Sequence, residues 1–106
     1  MSERYVRVVH LWIHEGQEEA FEAFEQEAAR IMARHKGRID SAVRLTPPPG
    51  APANDATPYE LHVVSFPDAE AYEAYSNDPA TLALREKRTK IISRTVVMAG
   101  REAGPY

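Results

Sequence analysis

Four histidines and a set of spaced aromatics are the side chains in this sequence whose types could do chemistry. His10, Trp12 and His14 alternate within Y-V-R-V-V-H-L-W-I-H, from Tyr5 to His14. Histidines four apart chelate one metal ion when they sit on a helix. This run holds no Gly or Pro and is rich in β-branched and aromatic residues, so it reads as a strand. On a strand the two imidazoles share a face but stand ~13 Å apart, at ~3.3 Å per residue. One ion cannot reach both. His14 reads as an exposed strand end, and no metal site is expected.

His10 and His62 make a better catalytic pair. Both fall in mid-strand, on strands expected to be neighbours. If they face the same way, two imidazoles border one cavity. Histidine changes charge near neutral pH, so either would serve as a general base. If they face opposite ways, they are two hydrogen-bonded core histidines.

Trp12, Phe66, Tyr72 and Tyr75 are candidates to line a pocket for a flat aromatic ligand, or else plain core. Tyr72 and Tyr75 are three apart, on one side of a helix. Their hydroxyls need partners if buried, which favours a polar cavity. Arg85, Lys87, Arg88, Lys90 and Arg94 form a basic run. Arg85 follows Leu82 and Leu84 and is the expected pocket residue, holding a carboxylate or an enolate oxyanion. The bland reading of the run is cations balancing a helix C-terminus.

The elements that must position these groups follow from the pattern. A first strand covers 5–14, and a helix runs from about Gln17 to Lys36 with Phe21, Phe24, Ala28, Ile31, Met32 and His35 in one stripe. Glu18, Glu19, Glu22 and Glu25 crowd its start, read as a solvated acidic face, and Gly37 is expected at its C-terminal cap. Arg38 to Leu45 reads as the second strand. The stretch 46–58 holds five prolines in thirteen residues, which no sheet tolerates, so it is a long surface loop. Tyr59 to Phe66 is the third strand. Asp68 caps a short helix carrying Ala71, Tyr72 and Tyr75, and Asp78-Pro79 restarts a second piece to about Lys90. Ile91 to Ala99 is the fourth strand, and 101–106 a frayed tail.

The order β-α-β-β-α-β in 106 residues predicts one α+β domain. It is a ferredoxin-like, four-stranded antiparallel sheet with both helices on one face. The other face stays apolar, and leaving it in water forgoes ~1.5–3 kcal/mol per large side chain. A second copy is the simplest cover, so a homodimer is expected.

Composition narrows the function. The chain has no cysteine, which removes disulfides, a thiolate nucleophile, iron–sulfur clusters and cysteine zinc sites. A net charge of −3 gives no basic field for nucleic acid or anionic lipid. No apolar run approaches the ~20 residues of a membrane helix. Met1-Ser2-Glu3-Arg4-Tyr5 lacks an apolar signal segment, so a cytoplasmic protein is expected. No Gly-rich phosphate loop, G-x-S-x-G elbow or H-E-x-x-H occurs.

Two stretches carry a resemblance: the first strand into H-E-G-Q-E-E-A-F-E-A-F, and L-H-V-V-S-F-P-D-A-E-A-Y-E-A-Y-S-N-D-P. They resemble the dimeric α+β-barrel superfamily, which includes antibiotic-biosynthesis-monooxygenase-like and haem-degrading-monooxygenase-like proteins. The likeness is greatest to a branch of small bacterial proteins with no established activity. It implies a dimeric barrel and a cleft between helices and sheet. The haem-degrading relatives use a proximal histidine on the second helix. This chain has none between Pro67 and Tyr106, and His35 on the first helix is no equivalent.

The expected function is a cofactor-independent enzyme acting on an aromatic or polyketide-like small molecule, by oxygenation, isomerisation or cyclisation. His62 or His10 would remove a proton, Arg85 would steady the anion, and Trp12, Phe66, Tyr72 and Tyr75 would hold the rings. The alternatives are a non-catalytic dimeric ligand-binding or stress-related module, and a haem-binding monooxygenase.

Overall fold

In the structure, a computed structural model describing residues 4–106, β1 (Tyr5–Ile13) and β3 (Glu60–Phe66) pair antiparallel in the middle of one sheet. β2 (Arg38–Arg44) flanks β3 and β4 (Ile92–Gly100) flanks β1, giving the order β2-β3-β1-β4. All three pairings are antiparallel. This is the ferredoxin-like arrangement expected from the sequence. The N-terminal expectation falls largely on residues 1–3, which lie outside the described residues.

The pairing register decides which side chains share a face, because cross-strand partners point the same way. Val9 lies opposite both His62 and Val97, and Leu11 opposite Glu60 and Thr95. These residues face the helices. His10 lies opposite Leu61 and Val96, and Trp12 opposite Arg94. These face away. On β2 the register slips between Ile39 and Ser41, so Asp40 is an extra residue in that edge strand.

The helix α1 (Glu18–Arg34) buries Phe21, Phe24, Ala28, Ile31 and Met32, the expected stripe. Phe21 retains only 1% of its surface and Phe66, under the second layer of helix, none. The end of α1 differs in detail from expectation. Lys36, not Gly37, takes the left-handed conformation (φ 60°). Gly37 N–H donates to Met32 O and Lys36 N–H to Ala33 O, which is a Schellman closure. Gly37 is required for another reason. A Cβ there would stand 2.2 Å from the Phe66 ring.

The second helical stretch has three pieces: α2 (Ala69–Asn77), α3 (Pro79–Ala83) and α4 (Arg85–Ile91). Asp68 caps α2 by accepting from Ala71 N–H, and Asp78 caps α3 by accepting from Ala80 N–H, both as expected. The single piece expected from Pro79 to Lys90 is instead interrupted at Leu84, which turns its side chain into the core. The Pro-rich loop is pinned at its far end, where Trp12 Nε1–H donates to Ala56 O at 3.0 Å.

The helices leave one sheet face uncovered. Val8, Trp12, Leu61, Val63, Val96 and Met98 lie on it, and Met98 is 54% exposed. The molecule is accordingly a slab of 45 × 39 × 17 Å, with a radius of gyration of 14.8 Å. A compact domain of this length is nearer about 13 Å.

Candidate active site

β3 alternates, so Glu60, His62, Val64 and Phe66 all rise from its helix side. Three of the four are apolar or weakly polar; Glu60 is not, yet only 8% of it is exposed. Its charge is met by Arg44 on the neighbouring strand, directly opposite in register. The Arg44 guanidinium donates to Glu60 Oε1 through Nη2 at 2.9 Å and Nε at 3.3 Å. It also lies 3.6 Å from Glu22 and stacks over the Tyr59 ring. The other Glu60 oxygen, Oε2, meets His62 Nε2 at 2.5 Å.

That contact fixes the tautomer. A carboxylate already accepting from a guanidinium accepts here too, so Nε2 carries the hydrogen. Nδ1 is the ring nitrogen left free of Glu60. It lies 3.8 Å from Glu25 Oε2, which descends from α1. The imidazole, 4% exposed, is thus held between two carboxyl groups. Burial pushes the Glu25 carboxyl above the ordinary carboxylate range. His62 and Arg88 pull it back in part, and Glu60 adds to the rise.

Glu25 and His62 lie on the wall of a cavity of about 290 Å³ between helices and sheet. An apolar cavity of ~150 Å³ holds benzene, so a molecule of one or two rings fits. Phe66, Tyr72 and Tyr75 line one end. Phe66 meets Tyr72 edge-on at 5.3 Å and Tyr75 tilted at 5.4 Å. Burial, reinforced by the charge of Glu25, pushes the Tyr75 phenol up to about 12. At neutral pH it is a hydroxyl donor. At the other end Arg88 reaches in from α4 and donates to Thr95 Oγ1. Thr81 is also on the wall, and its Oγ1 is buried without a hydrogen-bond partner among the described residues.

Of the residues singled out from the sequence, this cavity gathers His62, Phe66, Tyr72, Tyr75 and Arg85. It does not gather His10 or Trp12. They sit on the opposite sheet face, because His62 is in register with Val9 and not with His10. The condition for a two-histidine cavity therefore fails. His10 Nδ1 is buried with no hydrogen-bond partner among the described residues, and Trp12 stacks under Arg94 while holding the loop. Arg85 stands exposed at the cavity mouth, and Arg88, one turn on, is the deeper cation.

Sequence reasoning missed Glu25 and Glu60. Both left a signal. Glu25 interrupts the apolar series Phe21, Ala28, Met32 at helical spacing, and Glu60 shares the parity of His62 on β3. His35, placed on the apolar stripe, instead ties helices together through a 2.8 Å contact with Asp78 Oδ2. Among the described residues no group of three or more His, Asp or Glu is arranged to hold a metal ion, and no helix is long and apolar enough to cross a membrane.

Residues 7–100 match the domain of unknown function DUF1330. The chain belongs to this family. The match takes in most of β1, the rest of the sheet and the helices, including both carboxyl partners of His62. No curated protein sequence matches the chain. Solved structures with the same fold include a protein of unknown function from Rhodopseudomonas palustris. Its TM-score is 0.79 at 11% identity, covering 99% of this chain and 86% of that one. A candidate antibiotic biosynthesis monooxygenase from Bacteroides thetaiotaomicron gives 0.73 at 15% identity, covering 97% and 92%. A dabb family protein with a ferredoxin-like fold from Mesorhizobium loti gives 0.68 at 16%, covering 97% and 100%. At these identities the likeness is one of fold, and fold does not fix chemistry.

Proposed function

We propose that this DUF1330 chain is a small-molecule enzyme that moves a proton on a planar, aromatic or polyketide-like substrate held in the His62 cavity. The observation that carries this reading is the imidazole of His62, clamped between Glu60 and Glu25 on the wall of an aromatic-lined cavity. Buried charges are expensive, and a fold with no use for them is as stable with apolar side chains in their place.

In this reading Glu60 holds the ring orientation. The Glu25–His62 pair takes a proton from an activated C–H of the substrate. Arg88 and the Tyr75 hydroxyl face the cavity and stabilise the enolate that forms. The chain supplies every group this step needs. An enolate is the shared intermediate of isomerisation, cyclisation and oxygenation, which keeps all three reaction types open to the same site. A positioned base of this kind contributes ~10²–10⁴-fold to rate.

The reading also takes the open sheet face to be covered by a second copy of the chain. The apolar residues of that face and the thinness of the slab support it.

The test is solvent deuterium exchange. A panel of aryl ketones and 1,3-dicarbonyl compounds is incubated with the protein in D₂O and followed by mass spectrometry. Faster exchange of an activated C–H on at least one compound, lost in His62→Ala, is expected. No acceleration across the panel, with the same compounds seen to bind, returns the protein to a binding-only module that uses the same cavity.

A further inference from the structure

We propose that the Arg88 end of the cavity selects an organic anion, a planar aromatic or conjugated carboxylate, and that Glu25 gains one proton as that anion binds. The proposal rests on reading the cavity as a ligand site, and it names the ligand's charge and the proton that accompanies it.

Arg88 is the starting observation. It is half-buried and lines the cavity, yet it takes part in no ion pair among the described residues. Its contact is the neutral hydroxyl of Thr95. The other inner cation, Arg44, is already committed to Glu60 and Glu22. A guanidinium in an apolar wall presents donors in a fork that fits a carboxylate. Thr81, whose buried Oγ1 has no hydrogen-bond partner among the described residues, lies on the same wall.

The groups that face Glu25 set the proton balance. They are His62 and Glu60 from β3, Arg88 from α4 and Tyr75 from α2. A carboxylate ligand at Arg88 would also meet Glu25. If Glu25 is ionised the two anions repel. If it is protonated, its O–H donates to the ligand, an O–H···O⁻ bond of the strong kind. Burial already biases Glu25 toward the protonated form. Anion binding therefore favours the protonated carboxyl, and by linkage draws a proton from solvent. The sign follows: affinity falls as pH rises through the Glu25 titration. The aromatic end, with Phe66, Tyr72 and Met32, takes the ring.

Benzoate and benzamide make the test, since they share shape and differ in charge. Binding of each to the full chain is measured by calorimetry, in two buffers of different ionisation heat. Benzoate is expected to bind about tenfold or more tighter than benzamide, in keeping with a charged hydrogen bond. Its apparent enthalpy should change with buffer in the direction of proton uptake. Arg88→Gln should remove the preference for benzoate, weakening benzoate by about tenfold or more and benzamide much less, with an unchanged circular dichroism spectrum showing that the variant is folded. Glu25→Gln should keep the preference and abolish proton uptake. Equal binding of the two probes, or a preference that survives Arg88→Gln, overturns the proposal and leaves the cavity a ligand site. Proton uptake that persists in Glu25→Gln overturns the assignment of the proton. If neither probe binds, this proposal and the ligand-site reading fall together.

Discussion

His62 and Glu60 leave the same face of β3 two residues apart, and His62 Nε2 meets Glu60 Oε2 at 2.5 Å. The contact turns a buried histidine into an oriented one. It leaves Nδ1 toward Glu25 across 3.8 Å, and that juxtaposition is what the functional reading is built on.

Glu25 is placed against its own stability. Its folded pKa is raised, chiefly by burial, so the fold is penalised at pH values where the unfolded chain's carboxyl is ionised. The penalty is relieved as pH falls through the folded pKa. Glu25→Gln should therefore raise the melting temperature at neutral pH, and the gain should shrink as the solution is acidified. Thermal unfolding of both proteins across pH checks this. A Glu25→Gln variant that is less stable at neutral pH would contradict it.

Asp78 carries the opposite sign. Its pKa is lowered first by the His35 contact and then by the Ala80 N–H. Its contribution is present above the unfolded carboxyl's pKa and is lost as pH falls through the lower, folded value. Asp78→Asn should flatten the acid limb of the stability profile relative to wild type. An unchanged acid limb would mean the α1–α3 tie carries no net stability.

The end of α1 offers two substitutions of opposite effect. Gly37→Ala drives a Cβ into the fully buried Phe66 ring and should destabilise by about 1–3 kcal/mol, the range for overpacking. Lys36→Gly relieves a left-handed lysine and should stabilise by about 1 kcal/mol. Urea unfolding of the two variants separates the cases.

The open sheet face predicts association. Val8 and Val63 are paired in register at its centre. Wild type should sediment as a dimer at micromolar concentration, and Val8→Asp as a folded monomer. A wild-type monomer under those conditions would remove the second copy from the account.

Much of the fold was legible because it depends on spacing that sequence displays. The α1 stripe, the Asp68 and Asp78 caps and the proline-rich break each follow from local residue types. The order of β-α-β-β-α-β then leaves few ways to pair the strands. Register is different. It depends on which residue of β3 meets which residue of β1, and a shift of one exchanges the two faces. Sequence therefore leaves open whether His10 shares a face with His62, and the register pairs His62 with Val9 instead. The break at Leu84 is hidden by a continuous helical pattern, and Arg88, beyond it, lies deeper than Arg85. Glu25 was hidden in plain view among acidic residues that are solvated.

The account is tested most directly by the rate of substrate C–H exchange in D₂O for two single variants on opposite sheet faces. His62→Ala should slow the exchange by about 10²-fold or more, as loss of a positioned base does. His10→Asn should leave the rate at the wild-type value. Loss of exchange in His10→Asn with full activity in His62→Ala would place the chemistry on the other side of the sheet and contradict the account.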